Sequence, residues 1–451
     1  MVPIVTTTVV RPDIGLVAIL GYAFFAFLLG LALTPWFIAF LRRNSLGKQL
    51  RVETVDGRDP TIFRQYHEKK FGTPTMGGLL IWGSMILTIA FSRVLSYLGV
   101  VQNSLLQRGQ VYVPMFVLFT MGILGALDDY LNIVSGTPER TKEAMPTIKR
   151  FSLLGGFLAL LAVLGLFLSG GFSFQLSNTG KITLVAVVLI FLAIVLVMRT
   201  SATVVFQRFM LSQGKRKGLG VWPKLTSFFF ISLIGALWFY GKLGHDSIYI
   251  PFHGDFHVGL WYIPIFMLVL IGTVNAVNVT DGLDGLAGGL LVIAFGGFGI
   301  LAYLQGLHVL AGFCAVAVGA IGAFLWHNVP PALFFMGDTG ALALGGALAV
   351  IAFMTDQVLL LPLLGFVFVI EMLSVIIQLT SKKLRGGKKV FRAAPLHHHF
   401  EALEWGESKV TMRLWIIGAI AAVLGVIIGL SAVKNVPITG MTPSVAEFAA
   451  V

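Results

Sequence analysis

The sequence predicts an all-α, polytopic integral membrane protein, and three observations carry that prediction. Of its 451 residues, 57% are hydrophobic and only 12% charged, whereas a soluble globular domain carries roughly 25% charged residues. Apolar runs of the ~20 residues that a helix needs to cross a bilayer core recur along the whole chain. Basic residues gather in alternate connections between those runs, the asymmetry that orients helices across a membrane.

Twelve apolar segments are expected to span, near 14–41, 77–97, 112–128, 151–170, 182–200, 223–241, 259–278, 286–304, 307–327, 340–356, 358–380 and 411–433. The first is too long, and followed by too much further membrane sequence, to read as a removable signal peptide. The 52 glycines and 37 phenylalanines suit helices that pack closely and face lipid. Segment 243–258, "LGHDSIYIPFHGDFHV", reads as a short hairpin with its turn near "PFHGDF"; His245, His253 and His257 in it read as solvated or interfacial. The chain forms a single membrane domain over 1–451.

Connections 42–76, 129–150, 201–222 and 381–410 hold most of the basic residues, whereas the opposite connections carry few, such as Arg108, Lys181 and Lys242. The basic side is therefore cytoplasmic, which leaves both termini outside. The net charge of +12 is accounted for by orientation against an anionic membrane face and by holding phosphates, and does not imply a nucleic-acid partner. Cys314 is the only cysteine, so no internal disulfide forms.

Five polar clusters, far apart in the chain, converge on that basic face: "HEKKFGTPTMGG" at 67–78, "GALDDY" with Asp128 and Asp129, "NAVNVTDGLDGLAGG" with Asn275, Asn278, Asp281 and Asp284, "HNVPPALFFMGDTG" with His327, Asn328 and Asp338, and "PLHHHFE" with His397, His398 and His399. Any single aspartate could end a helix at headgroup level. Five together, flanked by glycine and asparagine, indicate a site, because intramembrane carboxylates are costly and are kept where they face protein, ions or water. Asp281 and Asp284 share a face if their segment is helical, whereas the adjacent Asp128 and Asp129 point differently. Hard oxygen donors without a compact Cys/His set favour Mg²⁺ over zinc, and Mg²⁺ keeps waters and bridges to substrate phosphate. Phe334 and Phe335 offer a flat apolar surface that fits either a base or lipid. Three adjacent histidines cannot all turn their rings to one metal, which argues against a zinc site in the loop 381–410.

"FGTPTMGG", "LDDY", "NAVNVTDGLDGLAGG", "FFMGDTG" and "PLHHHFE", in that order between about residues 67 and 413, resemble the bacterial phospho-N-acetylmuramoyl-pentapeptide transferases of the polyprenyl-phosphate N-acetylhexosamine-1-phosphate transferase superfamily. The resemblance implies a multi-pass inner-membrane enzyme, with a homodimer plausible, that moves phospho-MurNAc-pentapeptide from UDP-MurNAc-pentapeptide to undecaprenyl phosphate, giving lipid I and UMP. It implies Asp338 as the Mg²⁺ ligand, Asp128 as the group that deprotonates the lipid phosphate, and Asp129 as its essential neighbour. Asp281 and Asp284 would lie beside nucleotide and metal, with Asn278 in the same motif. Asn328 and Phe335 resemble uracil-site residues, Lys70 a lysine that contacts the nucleotide, and Gln378 a polar residue near the nucleoside. His397 and His398 would face substrate phosphate or sugar, while His399 supports the loop.

The chain also departs from that family's pattern. Members have ten spans, and a Lys-Gly-Leu segment ending in lysine soon follows "LDDY"; here it appears at "KRKGLGVWPK", which makes Lys224 the match, with Lys149 second. The apolar segments 151–170 and 182–200 then form a transmembrane hairpin within an insertion at 137–213, and an even number of added spans leaves every later motif on its proper face. Asn132 stands where many members have lysine. Two other readings compete: a sister transferase moving phospho-GlcNAc to a polyprenyl phosphate, and a transporter, whose sites would lie near the bilayer midplane rather than at the helix ends. A two-step path through a phospho-aspartate is a further alternative for the chemistry.

Overall fold

The computed structural model describes residues 14–44, 46–47, 72–101, 103–106, 109–134 and 221–432. The expected insertion at 137–213, with its two apolar segments, lies outside the described residues, as do Lys70 and Lys149. Among those described, nine helices are long and apolar enough to cross a membrane, and a bent helix pair, Val358–Leu364 with Phe366–Leu384, brings the number to ten if it is counted as one span.

The chain runs up and down through α1 (Leu16–Arg43), α2 (Gly78–Tyr97), α3 (Tyr112–Val134), α4 (Val221–Leu237), α5 (Tyr262–Thr280), α6 (Leu286–Leu304), α7 (His308–Asn328) and α8 (Gly337–Met354). It continues through a short α9 (Leu361–Leu364), α10 (Phe366–Leu384), the one-turn-and-a-half α11 (Leu396–Glu401) and α12 (Glu407–Ala432). The segment expected as one span at 358–380 is two pieces, Val358–Leu364 and Phe366–Leu384, bent by 84°. Pro362 near the start of α9 and Gly365 at the junction supply the physical reason for the break.

Helix α8, "GDTGALALGGALAVIAFM", is the axis of the bundle: every residue from Thr339 to Phe353 is buried. Its small residues let neighbours approach at backbone range, as interhelical contact in lipid favours. Gly78 of α2 lies against Gly340, and Gly125 of α3 against the Asp338 carbonyl, so closely that a Cβ on either would overlap backbone. On one side of α8 the rings of Phe239, Tyr262, Phe266 and Phe353 pack together. On the periphery the exposed side chains are themselves apolar, among them Val17, Leu20, Phe24 and Trp36 on α1 and Ile416, Ile420 and Val423 on α12. That inversion is the signature of a lipid-facing surface.

The predicted hairpin forms between α4 and α5, with Ser247–Ile250 (β1) paired antiparallel to Gly254–His257 (β2). The Tyr249 hydroxyl donates to the Ala432 carbonyl at 2.5 Å, which ties this hairpin to the end of α12.

Candidate active site

The helices alternate in direction, so the C-terminal ends of α3, α5 and α7 meet the N-terminal ends of α4, α6 and α8 at one boundary of the bundle. Four chain segments deliver side chains to a common centre there. Lys224, in the first turn of α4, places its Nζ 2.6 Å from Asp128 Oδ2 and 2.7 Å from Asp338 Oδ2. Asn278, in the last turn of α5, donates through Nδ2 to Asp338 Oδ1 at 2.8 Å. Asn132, one turn beyond Asp128, donates to Asp128 Oδ2 at 3.1 Å. The ammonium thus stands between two carboxylates, one fully buried and the other partly open.

Asp129 turns the other way. Its carboxylate accepts from the Asp338 N–H at 3.1 Å, the Thr339 N–H at 3.0 Å and the Thr339 hydroxyl at 2.6 Å. These are unsatisfied donors of the first turn of α8, so a side chain from α3 caps a helix 209 residues away, and its negative charge complements the helix N-terminus. Gly337 precedes with φ +72 and lies so close to the Asp129 carboxylate that a Cβ would strike it. "GDTG" therefore needs its first glycine twice over, for the left-handed backbone and for the approach of Asp129.

"GTPTMGG" runs beside the segment before α8: Phe335 N–H donates to Pro74 O at 2.8 Å, Gly77 N–H to Phe335 O at 2.8 Å and Gly78 N–H to Met336 O at 2.9 Å. The two phenylalanines separate. Phe334 is fully buried against Phe37 and Phe324, while Phe335 is half-buried at the boundary. Of the two, Phe335 is the less enclosed.

Asp281 and Asp284 do not share a helical face. Helix α5 ends at Thr280, and the turn that follows enters α6 through Gly285 at φ +76. Asp281 is half-exposed, whereas Asp284 is buried and accepts from Ala332 N–H at 3.0 Å. Asn328 is likewise committed to the scaffold, accepting from Gly285 N–H at 2.9 Å and donating to Phe334 O at 2.9 Å. Helix α12 buttresses the same turn: Glu407 accepts from Asp284 N–H at 2.7 Å, the Thr411 hydroxyl donates to Asp284 O at 3.3 Å, and Trp415 Nε1 donates to Leu286 O at 3.3 Å. Gln378 spends its amide on the loop backbone, accepting from Val390 and Phe391 N–H and donating to Phe391 O.

The three histidines form α11 with Leu396, Phe400 and Glu401 and differ in surroundings. His397 is fully buried, with Nδ1 3.1 Å from Glu371 Oε2. His398 is partly open, with Nδ1 2.6 Å from Glu401 Oε2. His399 accepts from Arg392 N–H at 3.2 Å, a bond that holds the loop. Sequence reasoning missed Glu371, Thr339, Glu407 and Thr411. Glu371 had a signal, as the one ionisable residue in the apolar run "GFVFVIEMLSVIIQ"; the others became visible only through their contacts.

Among the described residues no group of three or more His, Cys, Asp or Glu side chains is arranged to hold a metal ion. That donor set still fits Mg²⁺, which takes one or two protein carboxylates and completes its shell with water and substrate phosphate. Asp128 and Asp338 are two such carboxylates, and the Lys224 ammonium between them shows that their oxygens can face one cation.

Membrane-spanning helices that close around a lysine-bridged pair of aspartates at one boundary define a polytopic membrane enzyme. Residues 215–356 match the family model described as glycosyl transferase family 4. The phospho-N-acetylmuramoyl-pentapeptide-transferase of Chloroflexus aurantiacus is 35% identical over 424 residues, which cover 92% of this chain and 90% of that protein. That of Chloroflexus aggregans is 34% identical over 413 residues, covering 90% and 88%, and that of Bacillus anthracis 36% over 406 residues, covering 90% and 95%. The chain belongs to the phospho-N-acetylmuramoyl-pentapeptide-transferase family.

Proposed function

We propose that the protein transfers phospho-MurNAc-pentapeptide from UDP-MurNAc-pentapeptide to undecaprenyl phosphate, forming lipid I and releasing UMP. The family relationship along nine-tenths of the chain supports the reaction, and the Asp128–Lys224–Asp338 centre is the observation that carries it to particular residues. The basic face that holds the centre faces the bacterial cytoplasm, where the nucleotide donor is found, and the polyprenyl chain lies in the surrounding lipid.

An oxygen of the lipid phosphate attacks the sugar-bearing phosphorus of the donor. A new P–O bond forms, the bridging P–O bond to the uridine phosphate breaks, and UMP departs. Two anions must meet, so the dominant need is charge neutralisation and alignment. Asp338, with Asp128 opposite, would hold Mg²⁺, which when bound supplies Lewis-acid polarisation and neutralises the diphosphate. Lys224 brings a second cation to the same oxygens, and Asn278 fixes the Asp338 carboxylate in rotation. Asp129 sets the backbone position of Asp338 by capping α8.

A phosphate monoester has its second pKa near 6 and is mostly dianionic at neutral pH. Asp128 therefore takes up at most a minority proton, and its larger contribution is to place charge. His397 and His398 contact the phosphosugar side, Phe335 stacks on the uracil, and Asp281 and Lys70 border the nucleotide. Asp284, Asn328 and Gln378 act mainly by holding the turn and loop that carry those residues, since their polar atoms are engaged with backbone.

The test uses purified full-length protein with Mg²⁺, undecaprenyl phosphate and either UDP-MurNAc-pentapeptide or UDP-GlcNAc, with UMP measured. Release with the muramyl donor alone is expected. Folded protein that releases UMP only with UDP-GlcNAc, or with neither donor, overturns the assignment.

A further inference from the structure

Helix α10 crosses an apolar environment, yet it carries Glu371 with no exposure at all. Such a carboxylate is costly in hydrocarbon and persists only where it has partners. Both of its oxygens point at one residue on a separate element. His397 N–H donates to Oε1 at 3.1 Å, with Oε2 at 3.3 Å, and the His397 ring places Nδ1 3.1 Å from Oε2. A carboxylate already accepting a backbone N–H acts as acceptor toward the ring as well, so Nδ1 carries a proton. The only ring nitrogen left is Nε2, which is buried and has no hydrogen-bond partner among the described residues.

Where that nitrogen points is fixed by a glycine. A Cβ on Gly282 would overlap Nε2 and lie 2.9 Å from Cε1, so the ring edge rests directly on the turn between Asp281 and Leu283. An unpaired buried nitrogen is costly, and the cost persists here because Glu371 locks the ring in this pose. We propose that Glu371 is the positioning residue of the phosphosugar subsite: through Nδ1 and the backbone of His397 it fixes both ring orientation and tautomer, so that Nε2 waits for a phosphate oxygen of the donor at the Gly282 turn. The relation matches a general one, in which a carboxylate behind an imidazole sets what the outer nitrogen can do. It rests on the transferase reading above and adds to it a residue outside the five polar motifs.

Full-length protein in detergent or nanodiscs, with UMP release from UDP-MurNAc-pentapeptide as readout, tests the proposal in four forms: wild type, Glu371→Gln, His397→Asn and the double variant. Glutamine keeps the size of the side chain and one oxygen for the His397 N–H but removes the carboxylate that holds Nδ1–H. Turnover is expected to fall about 10–100-fold, the range for lost outer partners of a positioned histidine, with the KM for the acceptor lipid unchanged. Adding Glu371→Gln to His397→Asn is expected to cost less than about 2-fold more, because residues acting through one group are not additive. Selective ¹⁵N-histidine NMR gives an activity-independent measure: Nδ1–H of His397 in wild type, redistributed toward Nε2–H in Glu371→Gln. Wild-type turnover in Glu371→Gln, an independent multiplicative loss in the double variant, or an unchanged His397 tautomer each overturn the proposal. Failure of wild type itself to release UMP would instead overturn the transferase reading.

Discussion

Replacing Asp129 with asparagine isolates the contribution of the interhelical cap. The carboxylate accepts three hydrogen bonds at 3.1, 3.0 and 2.6 Å from the first turn of α8. A bond to a charged acceptor contributes about 1.5–3 kcal/mol net. Asparagine can keep one oxygen for the two Thr339 donors but turns its NH₂ group toward the Asp338 N–H, so one bond is lost and the other two weaken to those of a neutral acceptor, on the order of 3–5 kcal/mol in all. The disruption falls on the backbone of Asp338, the residue that meets both Lys224 and Asn278. If about 3 kcal/mol of it appears as misplacement of Asp338 in the transition state, turnover falls by roughly two decades, at about 1.4 kcal/mol per decade. Thr339→Val removes only the hydroxyl bond and should cost about tenfold, an internal scale for the argument. Kinetics of UMP release at saturating Mg²⁺, paired with thermal unfolding in detergent, separate loss of placement from loss of fold. An Asp129→Asn protein with wild-type turnover, or an inert Thr339→Val, would refute the view that Asp129 works by capping α8.

Gly337→Ala should lower both the unfolding temperature and turnover, because it puts a Cβ at a left-handed backbone position and into the Asp129 carboxylate; an unchanged melting curve counts against the packing argument. Lys224→Met leaves Asp128 and Asp338 facing each other without a cation, and breaking a buried ion pair from one side costs about 3–5 kcal/mol. The variant should lose at least 100-fold in turnover and gain more thermal stabilisation from added Mg²⁺ than wild type does, measured as the shift in unfolding temperature across a magnesium titration. Chelation with EDTA should abolish UMP release and excess Mg²⁺ should restore it, while activity that survives exhaustive chelation removes the metal from the scheme. Phe335→Leu should raise the KM for the uridine donor about tenfold with little change for the lipid acceptor, since stacking on a base contributes about 1–3 kcal/mol.

The spans were legible because a bilayer demands long apolar helices, and composition alone reports that demand. Where the sequence misled, a local breaker had been outvoted by hydropathy. Segment 358–380 reads as one apolar run, yet Pro362 and Gly365 divide it and the chain bends by 84°. The aspartate motifs were legible as a set, but not their partners. Nothing in "LDDY" says that its second aspartate caps a helix more than two hundred residues later, nor that Lys224 inserts between the first aspartate and Asp338. For Asp281 and Asp284 spacing left the matter conditional: the three-residue interval gives a common face only in a helix, and "DGLDG" is a turn that leads into α6 through a left-handed glycine. Glu371 was the reverse case, a legible anomaly, because one acid in an apolar helix already demands a partner.

The contacts divide the polar residues of this boundary into two layers with different tolerances. Asp128, Lys224, Asp338 and Asn278 bond to one another through their side chains, and three of the four carry charge. Asp129, Asp284, Asn328, Gln378 and Glu407 bond to backbone N–H groups of other segments, so each binds a turn or helix end that the first layer stands on. A buried N–H left without an acceptor is costly, so the second layer holds its segments in place. On the proposed reaction the acids of the motifs answer two separate demands: charge for a diphosphate, and acceptors for helix ends that meet at this boundary. A substitution that keeps an acceptor but removes charge should be tolerated in the second layer far better than in the first, except at Asp129, where three donors converge on a single carboxylate and both demands fall on the same side chain.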